Sequence, residues 1–186
     1  WSIEETAALY DIARWSDNYF HISDHGTILV SPDRSPGNAI DLKELVDRID
    51  QRGLKLPVLI RFNGILADRL KRLNDCFTLA IDQHEYRNSY RCIYPIKVNQ
   101  QRDFVQQIIQ HGRPYGFGVE AGSKPELLAV VAMTDAEMPI ICNGFKDEEF
   151  IQMALLAQRL GRTVIPVVEK VSELDLILEL SERLGV

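Results

Sequence analysis

The chain has 186 residues, of which 46% are hydrophobic and 26% are charged. That length and composition allow one sizeable buried core, so a disordered tail and a disulfide-dependent miniprotein are both excluded. Lys and Arg together number 21 against 27 Asp and Glu, and the formal net charge of −6 is the wrong sign for a general nucleic-acid surface. We therefore expect no nucleic-acid partner.

Neither the apolar runs nor the cysteines indicate a membrane or secreted protein. No run approaches the roughly 18 apolar residues that a membrane-spanning helix needs, and the first residues contain two adjacent glutamates rather than a basic leader. The three widely spaced cysteines fit reduced thiols better than a disulfide framework. We expect a soluble, cytoplasmic protein without a membrane partner. The missing initiator Met leads us to expect an excerpt of a longer chain.

The first part of the chain differs in character from the rest. Two β-favouring runs lie within Tyr19–Ser31 on either side of the turn Asp24-His25-Gly26, and residues 32–37 are rich in Pro, Asp and Ser. This pattern predicts a β-hairpin followed by a linker. His21 and His25 have the ligand spacing of a metal site on a helix, but the turn disfavours a helix, so we expect no metal site.

From residue 39 onward, helix-length amphipathic segments alternate with short apolar runs. Asp41 is placed to cap a helix that ends at Gly53, and a longer helical pattern covers about Ile65–Asn88. One early apolar run and four later ones are candidate strands: Leu56–Phe62, then Cys92–Asn99, Tyr115–Glu120, Pro139–Asn143 and Thr163–Glu169. The alternation predicts an α/β fold of βα units around a parallel sheet, either open and doubly wound or closed into a barrel.

Capping signals mark the starts of several of these helices. Ser123 with Glu126, and Ser172 with Asp175, have the spacing of capping boxes. Asp147 opens a run of three acidic residues in the first turn of another helix, where the helix dipole favours negative charge. These signals explain Ser123 and Glu126 as structural residues, and a catalytic role is the alternative.

Polar residues close the last four apolar runs at nearly regular intervals. From Lys97 to Glu120, to Asn143 and to Glu169 the steps are 23, 23 and 26 residues. Reactive residues gather at the carboxyl ends of the strands in both open and closed parallel sheets. We therefore expect these four side chains at one edge of the sheet, which we call the carboxyl edge.

Lys97 is the most unusual of the four. Strand alternation places Ile96 and Val98 on one face and Lys97 on the other, so Lys97 faces the barrel interior if helices cover the apolar face. A desolvated lysine with a lowered pKa is the form that attacks carbonyls to make a Schiff base. The alternative is a lysine at a strand end whose ammonium reaches solvent. Spacing alone leaves both interpretations open.

Three motifs in order resemble one enzyme family: Tyr94-Pro95-Ile96-Lys97-Val98-Asn99-Gln100, Glu120-Ala121-Gly122-Ser123-Lys124-Pro125-Glu126-Leu127 and Cys142-Asn143-Gly144-Phe145-Lys146-Asp147. The chain resembles the biosynthetic arginine decarboxylases, pyridoxal-phosphate enzymes with an alanine-racemase-like barrel. The resemblance implies that residues 39–186 form the first part of a (β/α)8 barrel. It also implies that residues 1–38 contribute to a second, β-rich domain, and that the remainder of both domains lies outside this sequence.

The resemblance also assigns roles to residues. Lys97 is implied to be the catalytic lysine that forms a Schiff base with pyridoxal phosphate, and Glu120 and Asn143 are implied to lie at the cofactor. For Glu120 the alternative is a strand-end carboxylate that holds a neighbouring lysine. Asn143 and Lys146 are ambiguous in the same way. Glu169 fits a carboxylate at the start of a loop that forms a salt bridge.

The implied activity is decarboxylation of L-arginine to agmatine and carbon dioxide, the first step of a route to putrescine and spermidine. The family likeness adds a magnesium requirement and a homo-oligomer, a dimer or an assembly of dimers. Three alternatives to this activity remain open. The first is a sibling decarboxylase that acts on ornithine, lysine or diaminopimelate. The others are a non-catalytic homologue that binds the cofactor and a generic βα protein that binds a phosphorylated metabolite.

Overall fold

The computed structural model describes all 186 residues apart from the side chain of Pro36. The chain forms two compact units, Trp1–Arg69 and Leu70–Val186. In this described part, no helix combines the length and the apolar character needed to cross a membrane. The expected assignment of residues 1–38 to a second, β-rich domain stays a prediction.

The first unit contains a three-stranded antiparallel sheet and three helices. Its elements are α1 (Ile3–Leu9), α2 (Ile12–Ser16), β1 (Phe20–Ile22), β2 (Ile28–Val30), β3 (Ile40–Asp41) and α3 (Leu42–Gln51). The predicted hairpin is confirmed, since β1 and β2 pair antiparallel with Phe20 opposite Val30. β3 extends the sheet beyond β2, and no sequence pattern predicts it because it is only two residues long.

Residues after the predicted linker join this unit through specific contacts. Asp41 caps α3 as predicted, accepting hydrogen bonds from the backbone N–H groups of Lys43 and Glu44. Asp68 accepts a hydrogen bond from the Tyr19 hydroxyl at 2.5 Å and lies 3.2 Å from the Arg34 guanidinium. The compact unit therefore extends to residue 69, past the end of the predicted linker.

Two sequence predictions in this stretch are corrected. The run Leu56–Phe62 forms no strand, because none of the described strands pairs with it, and Leu59 remains 79% exposed. The long helix, α4, covers Asn63–Gln83 and ends five residues before the predicted Asn88. Its last apolar position in the pattern is Ile81, so no buried contact holds residues 84–88 in a helix.

The second unit is a four-stranded parallel sheet with helices between its strands. Its elements are β4 (Ile93–Pro95), α5 (Arg102–Gly112), β5 (Gly118–Ala121), α6 (Lys124–Met133), β6 (Ile140–Cys142), α7 (Glu148–Arg159), β7 (Val164–Pro166) and α8 (Val171–Leu184). The strand order is β4-β5-β6-β7, so sequential strands are neighbours, as the βα alternation predicts. Each of the four later apolar runs overlaps one strand that is shorter than the run, and β5 extends one residue past its run, to Ala121.

The core of this unit lies between the sheet and its helices. Val119 on β5 and Ile140 on β6 are fully buried, and they pack in one cluster with side chains of α5, α6 and α7. Burying a side chain of this size stabilises the fold by about 1.5–3 kcal/mol. Gly118 allows the tight approach of β5 to its neighbour, because a Cβ there would lie 2.5 Å from the Pro139 carbonyl oxygen. This packing holds β5 close to β6.

Candidate functional site

Lys97 lies directly after β4, in a single 3-10 turn that covers Ile96–Val98. Ile96 is buried, but Val98 is 70% exposed, and the side chain of Lys97 is 60% exposed. The predicted alternation through Val98 is therefore wrong, because the chain leaves the extended conformation after Pro95. Within these 186 residues Lys97 is an exposed amine at the carboxyl edge.

Glu120 is the immediate partner of Lys97. The Lys97 Nζ donates a hydrogen bond to Glu120 Oε1 at 3.1 Å, although the residues are 23 positions apart. Parallel pairing of β4 with β5, which sets Pro95 opposite Glu120, brings them together. The Glu120 side chain is only 15% exposed, so its carboxylate is held at the sheet while the lysine reaches outward.

The loop after Lys97 is braced by Glu126 on α6. Gln100 Nε2 donates to Glu126 Oε1 at 2.7 Å, and the Gly122 backbone N–H donates to the second oxygen at 2.7 Å. Ser123 caps α6 by accepting from the Glu126 N–H, but the Glu126 carboxylate turns to Gly122 and Gln100, so only half of the predicted capping box forms. The sequence did not reveal the Gln100 contact.

Asn143 follows β6 and is tied to the neighbouring strand through its backbone, since its N–H donates to the Ala121 carbonyl at 3.1 Å. Gly144 comes next with a φ of +80°, a conformation that favours glycine. A Cβ on Gly144 would lie 3.1 Å from the Gly122 carbonyl oxygen. The loops that follow β5 and β6 are therefore in close backbone contact at the carboxyl edge.

A second lysine, Lys146, lies near this contact with a side chain that is 0% exposed. Its Nζ donates to the Gly144 carbonyl and lies 3.3 Å from Glu173 Oε2. Glu169 is further away, with its Oε2 at 4.0 Å from the same nitrogen. The sequence left Lys146 ambiguous and gave no sign of Glu173.

Glu169 and Glu173, which both follow β7, complete the cluster of charged groups around Lys146. Glu169 Oε1 accepts from the Gly144 N–H at 3.1 Å, and Glu173 Oε2 accepts from the Glu169 N–H at 2.8 Å. The Glu169 N–H and then the Lys146 ammonium hold the pKa of Glu173 below its ordinary value. Glu169 thus lies at the carboxyl edge as predicted, as a loop-entry carboxylate near a lysine.

The predicted capping box at Ser172 and Asp175 is wrong. α8 begins at Val171 with Lys170 in the N-cap position and no side-chain cap, so Ser172 already lies within the helix. The neighbouring helix behaves as its acidic start indicates: Asp147 caps α7 and accepts from the Phe150 N–H at 2.9 Å. A hydrogen bond from Lys124 at 2.9 Å is the main cause of the lowered pKa of Asp147.

Cys142 and the two histidines of the hairpin are the other candidate groups, and their geometry does not suit catalysis or metal binding. Burial raises the pKa of the Cys142 thiol to about 12, although the nearby Lys146 ammonium acts in the opposite direction. His21 lies in β1 and His25 in the turn of the hairpin. Among the described residues, no group of three or more His, Cys, Asp and Glu side chains is placed to hold a metal ion.

The arrangement provides one accessible amine beside a fixed carboxylate at the carboxyl edge of a parallel sheet. An exposed primary amine can attach a carbonyl compound covalently, and the adjacent carboxylate can orient that amine. Of the described lysines, Lys97 combines exposure, a carboxylate partner at 3.1 Å and a place at this edge. These features fit an aldehyde cofactor that binds through a lysine.

The family model that matches the chain is that of the pyridoxal-dependent decarboxylases, specifically their pyridoxal-binding domain, over residues 70–186. The matched residues are those of the second compact unit. They include Lys97 and Glu120 as well as the buried cluster around Lys146.

Several curated proteins are similar over the whole chain. A biosynthetic arginine decarboxylase of Rhodopirellula baltica is 65% identical over 186 residues, which are 100% of this chain and 28% of that protein. A protein of the same name from Gloeobacter violaceus is 50% identical and is covered to 29% of its length. The chain therefore spans less than a third of the length of these relatives.

A solved structure is also similar. The crystal structure of the biosynthetic arginine decarboxylase SpeA from Campylobacter jejuni matches with a TM-score of 0.87 and 29% identity, covering 94% of this chain and 29% of that one. This likeness and the parallel β4–β7 sheet confirm the predicted fold class, the first part of a (β/α)8 barrel preceded by a β segment.

Proposed function

The chain belongs to the pyridoxal-dependent decarboxylases, whose pyridoxal-binding domain it matches, and on this premise we propose that it contributes Lys97 to the decarboxylation of L-arginine to agmatine and carbon dioxide. The observation that carries the proposal is the Lys97–Glu120 pair at the carboxyl edge. The names of relatives that are up to 65% identical over the whole chain support arginine as the substrate. The reaction would feed putrescine and spermidine synthesis.

Lys97, Glu120 and Asn143 have separate roles in the proposed site. Lys97 would hold pyridoxal phosphate through its Nζ, and Glu120 would orient that nitrogen through its hydrogen bond. The bound cofactor supplies an electron sink for the electron pair that remains on the α-carbon when the carboxylate leaves. Asn143 contributes a polar side chain from the loop after β6, in the same carboxyl edge as Glu120.

Further parts of the proposal rest on the family likeness alone. They are a cytoplasmic homo-oligomer, a dimer or an assembly of dimers, and a second domain to which residues 1–38 contribute. The magnesium requirement has no support among the described side chains, which form no three-ligand group, so no step of the reaction is assigned to a metal here.

Borohydride reduction of the intact, cofactor-loaded protein, followed by peptide mass mapping, tests the role of Lys97. We expect a reduced pyridoxyl group on Lys97, and none on that peptide in Lys97→Ala. Lys124 provides an internal control, because it lies at the same edge but is paired with Asp147 and Glu149. Pyridoxyl modification of another lysine, with Lys97 unmodified, would contradict the proposal.

A substrate panel tests the reaction itself. Carbon dioxide and amine release are measured with arginine, ornithine, lysine and diaminopimelate at equal concentrations. Agmatine as the main product is expected. A larger kcat/KM for another member of the panel would identify a sibling decarboxylase, and cofactor on Lys97 with no product from any substrate would identify a non-catalytic binding protein.

A further inference from the structure

The pair formed by Lys146 and Glu173 is buried, with side chains only 0% and 4% exposed and their charged atoms 3.3 Å apart. Burying an ion pair is seldom the most stabilising solution, because the loss of hydration offsets most of the attraction. Glu173 Oε1 is also buried without a hydrogen-bond partner among the described residues, which adds to that cost. Stability alone therefore does not explain these residue types.

The geometric effect of the pair is to tie two strand-end loops together. Lys146 Nζ donates to the carbonyl of Gly144, which follows β6. Glu173 Oε2 accepts from the N–H of Glu169, which follows β7, and the Glu169 carboxylate returns to the Gly144 N–H at 3.1 Å. Backbone groups of both loops are thus fixed by the same two charges.

These loops connect by direct contacts to the loop that carries Lys97. The Gly144 backbone packs against Gly122, whose N–H is held by Glu126 at 2.7 Å. Glu126 in turn accepts from Gln100 at 2.7 Å, three residues after Lys97. Gly122 also lies two residues after Glu120, the carboxylate that contacts Lys97. A shift of Gly144 would therefore act on both residues of the proposed site.

We propose that Lys146 and Glu173 are positioning residues, which set the loops after β6 and β7 and thereby hold the Lys97–Glu120 site in its working geometry. This inference rests on the proposed function. The two residues touch neither cofactor nor substrate in it. They act through Gly144 and Glu169, and their effect reaches Lys97 through Gly122, Glu126 and Gln100.

The double variant K146M/E173Q in the intact protein tests the inference. Removing both charges leaves no uncompensated buried charge, so this variant is expected to fold. Glu148→Gln is the matched control, because Glu148 on α7 also forms an ion pair with a residue of α8, Arg183 at 2.9 Å, but both side chains of that pair are half exposed or more. The amide hydrogen exchange of Gly144 and Glu169 is measured without cofactor, and the Kd for pyridoxal phosphate and the steady-state kinetics are measured with it.

In K146M/E173Q we expect amide exchange at Gly144 and Glu169 to accelerate at least about tenfold, and the Kd for pyridoxal phosphate to rise about tenfold. The kcat is expected to fall by roughly 10- to 100-fold, the size of effect that a misplacement of about 1 Å produces, while the KM for arginine changes less. Glu148→Gln should stay within about twofold of the unmodified protein in all of these quantities.

Unchanged exchange at both amides would overturn the inference, as would a lowered melting temperature with unchanged Kd and kcat, which is the result that a purely structural pair predicts. Failure of the proposed function has a different signature. In that case the unmodified protein itself releases no agmatine from arginine, while the exchange and cofactor-binding measurements still decide whether the pair positions the site.

Discussion

Two lysines follow strands of the same sheet, and each is paired with a glutamate at nearly the same distance. They differ in how far their side chains are exposed. Lys97 follows β4 and lies 3.1 Å from Glu120, and Lys146 follows β6 and lies 3.3 Å from Glu173. The Lys97 side chain is 60% exposed, whereas that of Lys146 is 0% exposed. The Lys–Glu pairing by itself therefore does not distinguish a reactive lysine from a structural one.

The difference lies in what else each ammonium contacts. Lys146 donates to a backbone carbonyl as well as facing its carboxylate, so it is fixed in place and inaccessible to a small molecule. Lys97 has one carboxylate at hydrogen-bond distance and otherwise meets solvent, so it can exchange partners at little cost. Within these 186 residues, exposure rather than charge pairing distinguishes Lys97, the candidate for chemistry, from Lys146, the candidate for positioning.

Lys97→Ala is expected to give the largest functional change. Decarboxylation should fall by several orders of magnitude, because the amine that holds the cofactor is lost. The melting temperature should change by less than about 2 °C, because the side chain is exposed and its ion pair contributes little to stability. Product formation and thermal unfolding of the intact protein measure both. A large loss of stability would contradict the contrast with Lys146.

Lys146→Met is expected to give the largest change in stability. It leaves the Glu173 carboxylate buried without its ammonium, and the melting temperature should fall by roughly 10 °C. Lys124→Met is the matched control, since it removes the same charge at the same edge from a lysine that is 35% exposed. Thermal unfolding of the two variants side by side gives the comparison. Equal shifts in both would show that burial does not separate them.

Glu120→Gln tests the partner of the exposed lysine. The amide keeps an acceptor near Lys97 Nζ but loses the charge, so we expect kcat to fall by roughly 10- to 100-fold, as for a mispositioned group. Thermal stability should change little. Steady-state kinetics with arginine and a melting curve check this expectation, and an unchanged kcat would leave Glu120 as a strand-end carboxylate without a role in the reaction.

Glu173→Gln tests the buried partner through the pH dependence of the unfolding free energy. Because the pKa of Glu173 is lowered in the folded state, its contribution to stability is fully present above the pKa of the unfolded chain and is lost as pH falls through the lower pKa of the folded state. The difference in unfolding free energy between the unmodified protein and Glu173→Gln should therefore be largest near neutral pH and shrink in acid. Urea titrations at several pH values measure it. A difference that grows in acid is the contrary result.

The main features of the fold could be predicted from sequence because each rests on local patterns. Apolar runs at regular intervals predicted the four parallel strands, and the hairpin followed from the turn Asp24-His25-Gly26. The near-equal spacing of Lys97 and Glu120 along successive βα units predicted their meeting at one edge. Their roles toward the cofactor stay predictions, which the borohydride and Glu120→Gln experiments address.

The sequence predictions that are wrong concern residues whose local pattern is overridden by the tertiary structure. Leu56–Phe62 has the composition of a strand, but a strand needs a neighbour for its backbone groups, and none of the described strands provides one. Val98 was placed with Ile96 by alternation, but the backbone turns after Pro95. Ser172 has the spacing of a capping residue, but α8 begins one residue earlier, at Val171.

The sequence by itself determined the α/β class, the order of the strands and helices in the second unit, and the family of this protein, because periodicity, capping residues and motifs are properties of neighbouring positions. Only the tertiary structure decided which of two lysines is exposed. Lys146 and Glu173 lie 27 positions apart and meet because β6 and β7 pair and α7 packs against α8. Burial depends on what lies around a side chain in space, and the residues next to each lysine in the sequence do not indicate it.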